Sequence, residues 1–140
     1  MFEENDLLKA LENENNEDIT KYNSRLLKQI KNDYLQKLNL PRDKLKKFHE
    51  KLKDYRYVDD LNSINYGRYI RWINLNKPEN ITLTSGGIII DIKILSNGIH
   101  LLCKNYQNKK FQIKLDENII FQRLTPQEKV ILSALDYVAN

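Results

Sequence analysis

The chain has 140 residues, 41% of them hydrophobic and 30% charged, with a formal net charge of +4 at pH 7. That describes one ordinary domain, or a small domain with a helical extension, whose modest core lies under a heavily solvated surface. Cys103 is the single cysteine, which excludes an internal disulfide and a cysteine-built zinc site and fits a reducing compartment or an assembled particle.

Apolar runs such as Ile88-Ile89-Ile90 fall far short of the roughly 20 residues a membrane helix needs, so no membrane association is expected. The opening, "MFEENDLLKALENENNED", lacks the basic-then-apolar order of a signal peptide, and secretion by that route is not expected. Charge is distributed unevenly. Residues 1–18 hold seven acids against Lys9, residues 19–60 hold twelve Lys/Arg against six acids, and residues 61–140 hold ten against six. The first segment reads as an acidic arm that folds back on the basic helices, competes with an anionic partner or keeps the chain soluble. Abundant Asn, Ile, Lys and Tyr beside scarce Ala and Gly reflect A/T-rich codons and say nothing of mechanism.

Residues 19–64 follow a helical period. Leu27, Ile30, Tyr34 and Leu38 recur at three- and four-residue steps, and so do Leu45, Phe48, Leu52 and Tyr55. Pro41 cannot donate a backbone hydrogen bond and restricts Leu40, so it separates two helices of a hairpin. Two narrow stripes suffice to pair helices but leave little to anchor them elsewhere. The expectation is a projecting arm that buries these eight residues against a second copy or another protein. Lys44, Lys46, Lys47, Lys51 and Lys53 read as a solvated helix face, and His49 among them has no clustered carboxylates with which to hold a metal.

Tyr57-Val58-Asp59-Asp60 spells the catalytic signature of reverse transcriptases. The paired aspartates of those enzymes sit in a turn between two strands with a third carboxylate nearby, so that two metals are held. Here the four residues directly follow a helical stripe, with fewer than 60 residues before them to build the rest of a polymerase. Asp59 and Asp60 read instead as a helix end, or as the cap of a short helix starting near Leu61.

From Gly67 the period becomes two. Asn97-Gly98 is a strong hairpin signal, because both residues accept the positive φ of a type I′ turn. Taking them as the loop opposes Ile94 to Leu101 and Ile92 to Cys103. Ile88, Ile90, Ile92, Ile94, Leu101 and Cys103 then share one face, and Asp91, Lys93, His100 and Lys104 the other. "KFQIKL" continues with Phe111, Ile113 and Leu115 inward and Lys110, Gln112 and Lys114 outward, joined by a three- or five-residue turn around Gln107-Asn108-Lys109. "GRYIRWINL" supplies a strand before the hairpin and "ENIIFQRL" one after it. Ser85-Gly86-Gly87 lacks the Gly-Lys-Ser/Thr of a phosphate loop; its glycines are expected to make the sharp turn or bulge by which a long loop enters the second strand. The predicted fold class is α+β: an N-terminal helical hairpin, a five-stranded SH3-like antiparallel barrel over 67–124, and a C-terminal helix over 125–140. That helix opens on a capping box, Thr125 with Glu128 and Pro126 in the first turn, followed by an Ile131-Leu135-Val138 stripe, and is expected to close the barrel or dock on a neighbour.

Site chemistry is sparse. Cys103 and His100, three apart on one strand, point to opposite faces and form no nucleophile-base pair. No catalytic residue, metal site, cofactor or small-molecule substrate is expected. On the outward face Arg68, Arg71, Lys93, Lys104, Lys110 and Lys114, with Tyr106, Tyr69 and His100, are the candidate nucleic-acid contacts, since basic groups among aromatics suit backbone binding.

The string "GRYIRWIN…LTSGGIIIDIKI…HLLCKN…FQIKLDENIIFQRL", over residues 67–124, resembles small SH3-like β-barrel proteins of giant DNA viruses. The resemblance carries no catalytic residues. It implies a viral protein located in the virion or the host cytoplasm. The resulting expectation is a non-enzymatic structural or assembly component that joins other proteins, as a homo-oligomer or with a protein partner. The alternative is a nucleic-acid-binding accessory factor in transcription, replication or genome packaging.

Overall fold

The computed structural model describes residues 3–139. In chain order it contains α1 (Glu4–Glu12), two short 3-10 helices (Glu14–Asn16 and Asp18–Lys21), α2 (Ser24–Gln36), α3 (Arg42–Lys51), β1 (Tyr55–Val58), β2 (Tyr69–Asn74), β3 (Gly87–Leu95), β4 (Gly98–Lys104), β5 (Lys110–Lys114), a 3-10 turn (Leu115–Glu117), β6 (Asn118–Arg123) and α4 (Pro126–Ala139). Two compact units result: residues 1–49 together with 124–140, and residues 50–123.

In the helical unit, the segment read as an acidic arm is folded. Ala10 and Ile19 join Leu27, Ile131 and Leu132 in one buried cluster, with Leu7, Tyr22, Leu124 and Leu135 against it. Polar ties fix this packing: Asn16 Nδ2 donates to Ala10 O at 2.8 Å and to Gln127 Oε1 at 3.0 Å, and Ser24 Oγ donates to Asp136 Oδ2 at 2.6 Å. The capping box forms as expected, with Glu128 N donating to Thr125 Oγ1 at 3.1 Å and Thr125 N to Glu128 Oε1 at 3.0 Å. On α4 the buried stripe uses Ile131 and Leu132, whereas Val138 is 80% exposed. At the helix break Asn39 takes φ +52, and the first α3 turn closes from Leu45 N to Pro41 O.

The stripes expected to form a projecting interface differ in exposure from residue to residue. Leu27, Phe48 and Leu52 are buried, and Ile30, Tyr34, Leu38, Leu45 and Tyr55 are half-buried. Leu35, on the same side of α2, is fully buried.

The sheet unit corrects the expected fold. It is a single open antiparallel sheet of six strands in the order β1-β6-β2-β3-β4-β5, not a closed five-stranded barrel. β1, which had been placed in a helical stretch, pairs with β6 from Tyr55↔Arg123 to Val58↔Ile120. It thereby takes the outer edge of β6, and β1 and β5 are left as the two ends of the sheet. Short strands linked by tight turns suit an open sheet as well as a barrel, so alternation alone does not decide closure.

The sheet nevertheless curls strongly. Trp72 on β2 and Phe111 on β5 are three strand intervals apart, which in a flat sheet is about 14 Å. Their ring centroids lie 6.2 Å apart, edge to face. Val58, Ile64, Ile70, Trp72, Ile89, Leu101, Cys103 and Ile120 fill the concave side, with Ile92, Ile99, Phe111, Ile113 and Leu115 packed on them. Phe111, Ile113 and Leu115 thus point inward as expected, across a loop that Asn105 N closes by donating to Lys109 O.

The hairpin register differs from the expectation. Leu95 pairs with Gly98, so the loop is Ser96-Asn97, and Ile92 faces Leu101 rather than Cys103. The reason lies in the backbone: Gly98 takes φ +130, and Asn97 does not take positive φ. A shift of two keeps the side-chain parity, but a bulge between Ile89 and Asp91 then reverses it. Consequently Ile89 is 1% exposed in the core, while Ile88 and Ile90, expected to face inward, are 44% and 39% exposed. Gly86 enters the strand at φ +92, where a Cβ would stand 2.2 Å from Ile70 O; no other residue fits there.

Candidate functional site

The register of β3, β4 and β5 lays out the convex face as a grid. Lys93 faces His100, which faces Lys114. Asp91 faces Leu102, which faces Gln112; beyond the bulge Ile88 faces Lys104, which faces Lys110. Cross-strand neighbours lie about 5 Å apart and successive rows about 7 Å. Four lysines therefore occupy one small surface, with Asp91 within the grid and Asp116 beside Lys114. The grid is confined to this part of the sheet, because at β2 and β6 the same face is buried at Ile73, Ile119 and Phe121.

His100 is held at the centre of the first row. Its Nε2 lies 3.0 Å from Asn97 Oδ1 and its Nδ1 3.2 Å from Gln112 Nε2. An oxygen on one side and an amide N–H donor on the other fix the orientation of the ring. The Lys114 ammonium is 3.7 Å from Asp116, which is 70% exposed and screened by solvent.

The remaining candidates separate from this grid. Arg68 donates from Nη2 to Arg123 O at 2.6 Å, and Arg71 from Nε to Thr84 O at 2.7 Å, so both guanidiniums bind backbone carbonyls around β2. Tyr69 Oη donates to Ser85 O at 2.6 Å. Tyr106, in the loop beside Lys104 and Lys110, is 80% exposed. The structure thus brings together Lys93, Lys104, Lys110 and Lys114 and leaves the arginines apart.

Elsewhere the geometry offers little for covalent chemistry. Cys103 is buried, and burial pushes its thiol up to about 12, far from a nucleophilic thiolate. It and His100 point to opposite sides of β4, as expected. Of the polymerase-like tetrad, Tyr57 and Val58 lie in β1, opposite Phe121 and Ile120. Asp60 Oδ1 accepts the backbone N–H of Asn62 at 2.9 Å and of Ser63 at 3.2 Å, capping a turn rather than a helix. Among the described residues no group of three His, Cys, Asp or Glu is placed to hold a metal ion.

A second polar site went unread in the sequence. α2 and α3 border an open cleft of about 620 Å³ lined by Asn32, Gln36, Arg42, Asp43, Leu45, Lys46 and His49. The signal was present in the spacing: Asn32 and Gln36 are one turn apart, and Arg42, Lys46 and His49 fall on one side of α3. Reading the lysine-rich helix as uniformly solvated hid it.

Comparison with known proteins yields no match to a family, to a curated protein or to a solved structure.

Proposed function

We propose that the protein is a non-enzymatic binding protein whose β3-β4-β5 face contacts the phosphate backbone of nucleic acid. The observation that carries this reading is the direct cross-strand opposition of Lys104 and Lys110, with Lys93 and Lys114 flanking His100 two rows away. Like charges opposite one another weaken a sheet. An anionic partner lying over the face converts that cost into binding energy. The exposed Tyr106 ring beside the same lysines supplies a surface on which a base stacks.

Fluorescence anisotropy with a labelled single-stranded oligonucleotide tests the reading. Contacts by four lysines give a log affinity that falls against log salt with a slope of roughly −3. Absence of binding at low ionic strength, or an affinity indifferent to salt, overturns it.

A second reading, a viral structural or assembly component that joins other proteins, is favoured by the exposed apolar side chains Ile88, Ile90, Ile94 and Leu95 along β3. Light scattering distinguishes the two, because only this reading expects a concentration-dependent oligomer that persists at high salt. The virion or host cytoplasm, the location that the sequence resemblance implies, belongs to the same proposal.

A further inference from the structure

We propose that the cleft between α2 and α3 is a binding site for a phosphate monoester, with Arg42 and Lys46 as the charged contacts and Asn32, Gln36 and His49 as its polar floor. The site is separate from the lysine grid and does not depend on it.

Three observations carry the assignment. The first is the cavity: at about 620 Å³ it is large enough for a small phosphorylated ligand. The second is the hydrogen-bond arrangement of its floor. Asn32 Oδ1 lies 3.1 Å from His49 Nε2 and accepts from Gln36 Nε2 at 3.3 Å, so a single oxygen orients both side chains. With Nε2 held in this way, His49 presents Nδ1 as its remaining polar atom. The third is the charge at the rim. Arg42 and Lys46 line the cleft, and neither has an ion-pair or hydrogen-bond partner among the described residues. A guanidinium fork and an ammonium one helical turn apart match the oxygens of a phosphate.

The floor also responds to the ligand's charge. The charged groups around His49 are Lys31 of α2 and Arg42, Asp43 and Lys46 of its own helix. Burial, and then the charge of Lys31, hold the imidazole below its ordinary value, so it is neutral at pH 7.5. A bound dianion reverses the electrostatic part of that shift and favours the imidazolium, whose Nδ1–H then becomes a donor. Binding therefore draws a proton onto His49.

The test is calorimetric titration of the full chain with inorganic phosphate and with glycerol 2-phosphate at pH 7.5, in two buffers of different ionisation enthalpy. The expected result is saturable one-to-one binding of both, with proton uptake by the protein once the protons released by the ligand's own second ionisation are accounted for. Arg42→Ala should weaken binding about tenfold or more through loss of a charge-assisted fork. His49→Gln should reduce the proton uptake while leaving the far-ultraviolet circular dichroism unchanged. Lys77→Ala, at an exposed position outside both the cleft and the sheet face, should leave phosphate binding as it was. The proposal is overturned if no saturable binding occurs, if Arg42→Ala and Lys46→Ala each bind like the wild type, or if Lys77→Ala is the variant that abolishes it.

Discussion

Lys104→Glu separates an anion-binding face from a merely solvated one, because stability and binding should move in opposite directions. In the wild type Lys104 stands between Ile88 on β3 and Lys110 on β5. Glutamate turns the repulsive pair with Lys110 into an attractive one. Relief of the repulsion and gain of the attraction are each worth about 0.2–1 kcal/mol. The lysine stem covers more of Ile88 than the shorter glutamate would, which offsets part of the gain. A net stabilisation of about 0.5–1 kcal/mol follows, read as a higher urea midpoint with an unchanged slope. Oligonucleotide affinity should fall in the same protein, and the magnitude of its salt slope by about 0.7 for the lost contact. Lys104→Glu/Lys110→Glu restores a like-charged pair, so the stability gain should vanish while binding weakens further. A variant that is less stable than the wild type, or that binds the oligonucleotide undiminished, refutes the reasoning.

Three further outcomes test the fold. Leu101→Ala, at a fully buried position in the concave core, should destabilise the sheet by about 2–5 kcal/mol in urea unfolding. Thr125→Ala removes the side-chain half of the capping box and should cost about 1 kcal/mol, seen as reduced helix protection in hydrogen exchange at the start of α4. Cys103 should resist thiol reagents in the native state. Its folded value of about 12 lies above the ordinary thiol value of 9.0, so its contribution to stability is complete below pH 9 and is lost as pH rises towards 12; urea midpoints measured across that range check the sign.

What the sequence made legible follows from how local the determining interactions are. The capping box of Thr125 and Glu128 spans four residues, and the structure holds it as written. The inward Phe111-Ile113-Leu115 face was equally readable, since period-two alternation and a parity-keeping turn suffice to place it. The Ile88–Ile94 run was not. Its every-second-residue isoleucines permit two faces, and the choice is made by the bulge after Ile89, while Gly98 alone taking positive φ sets the register; alternation encodes neither. β1 was hidden for a different reason: Tyr55 stands at helical spacing from Leu52, and only pairing with β6, some 65 residues on, makes Tyr55–Val58 a strand. For the site, the lysines of β4 and β5 could be grouped in advance because hairpin parity placed them together. Arg68 and Arg71 could not be set aside, since the carbonyls that bind them belong to Arg123 and Thr84, outside their own strand.

The bulge connects the core to the proposed binding face. Ile89 lies inward in the same cluster as Trp72, and the Trp72 and Phe111 rings meet across the concave side of the curled sheet. Bending makes the other side convex, and its long side chains diverge outward from their Cα positions. Divergence lessens repulsion between Lys104 and Lys110 at their ammonium tips while keeping both on one surface. A flat sheet with the same register would hold the tips closer and favour a glutamate at one of the two positions. The side chains that bury the core therefore also set how far apart the cations stand, and a polyanion wrapping a convex face meets them in sequence rather than at once. If the face binds nucleic acid as proposed, a flexible single strand is the expected partner rather than a rigid duplex, because only the former follows the curvature without a bending cost.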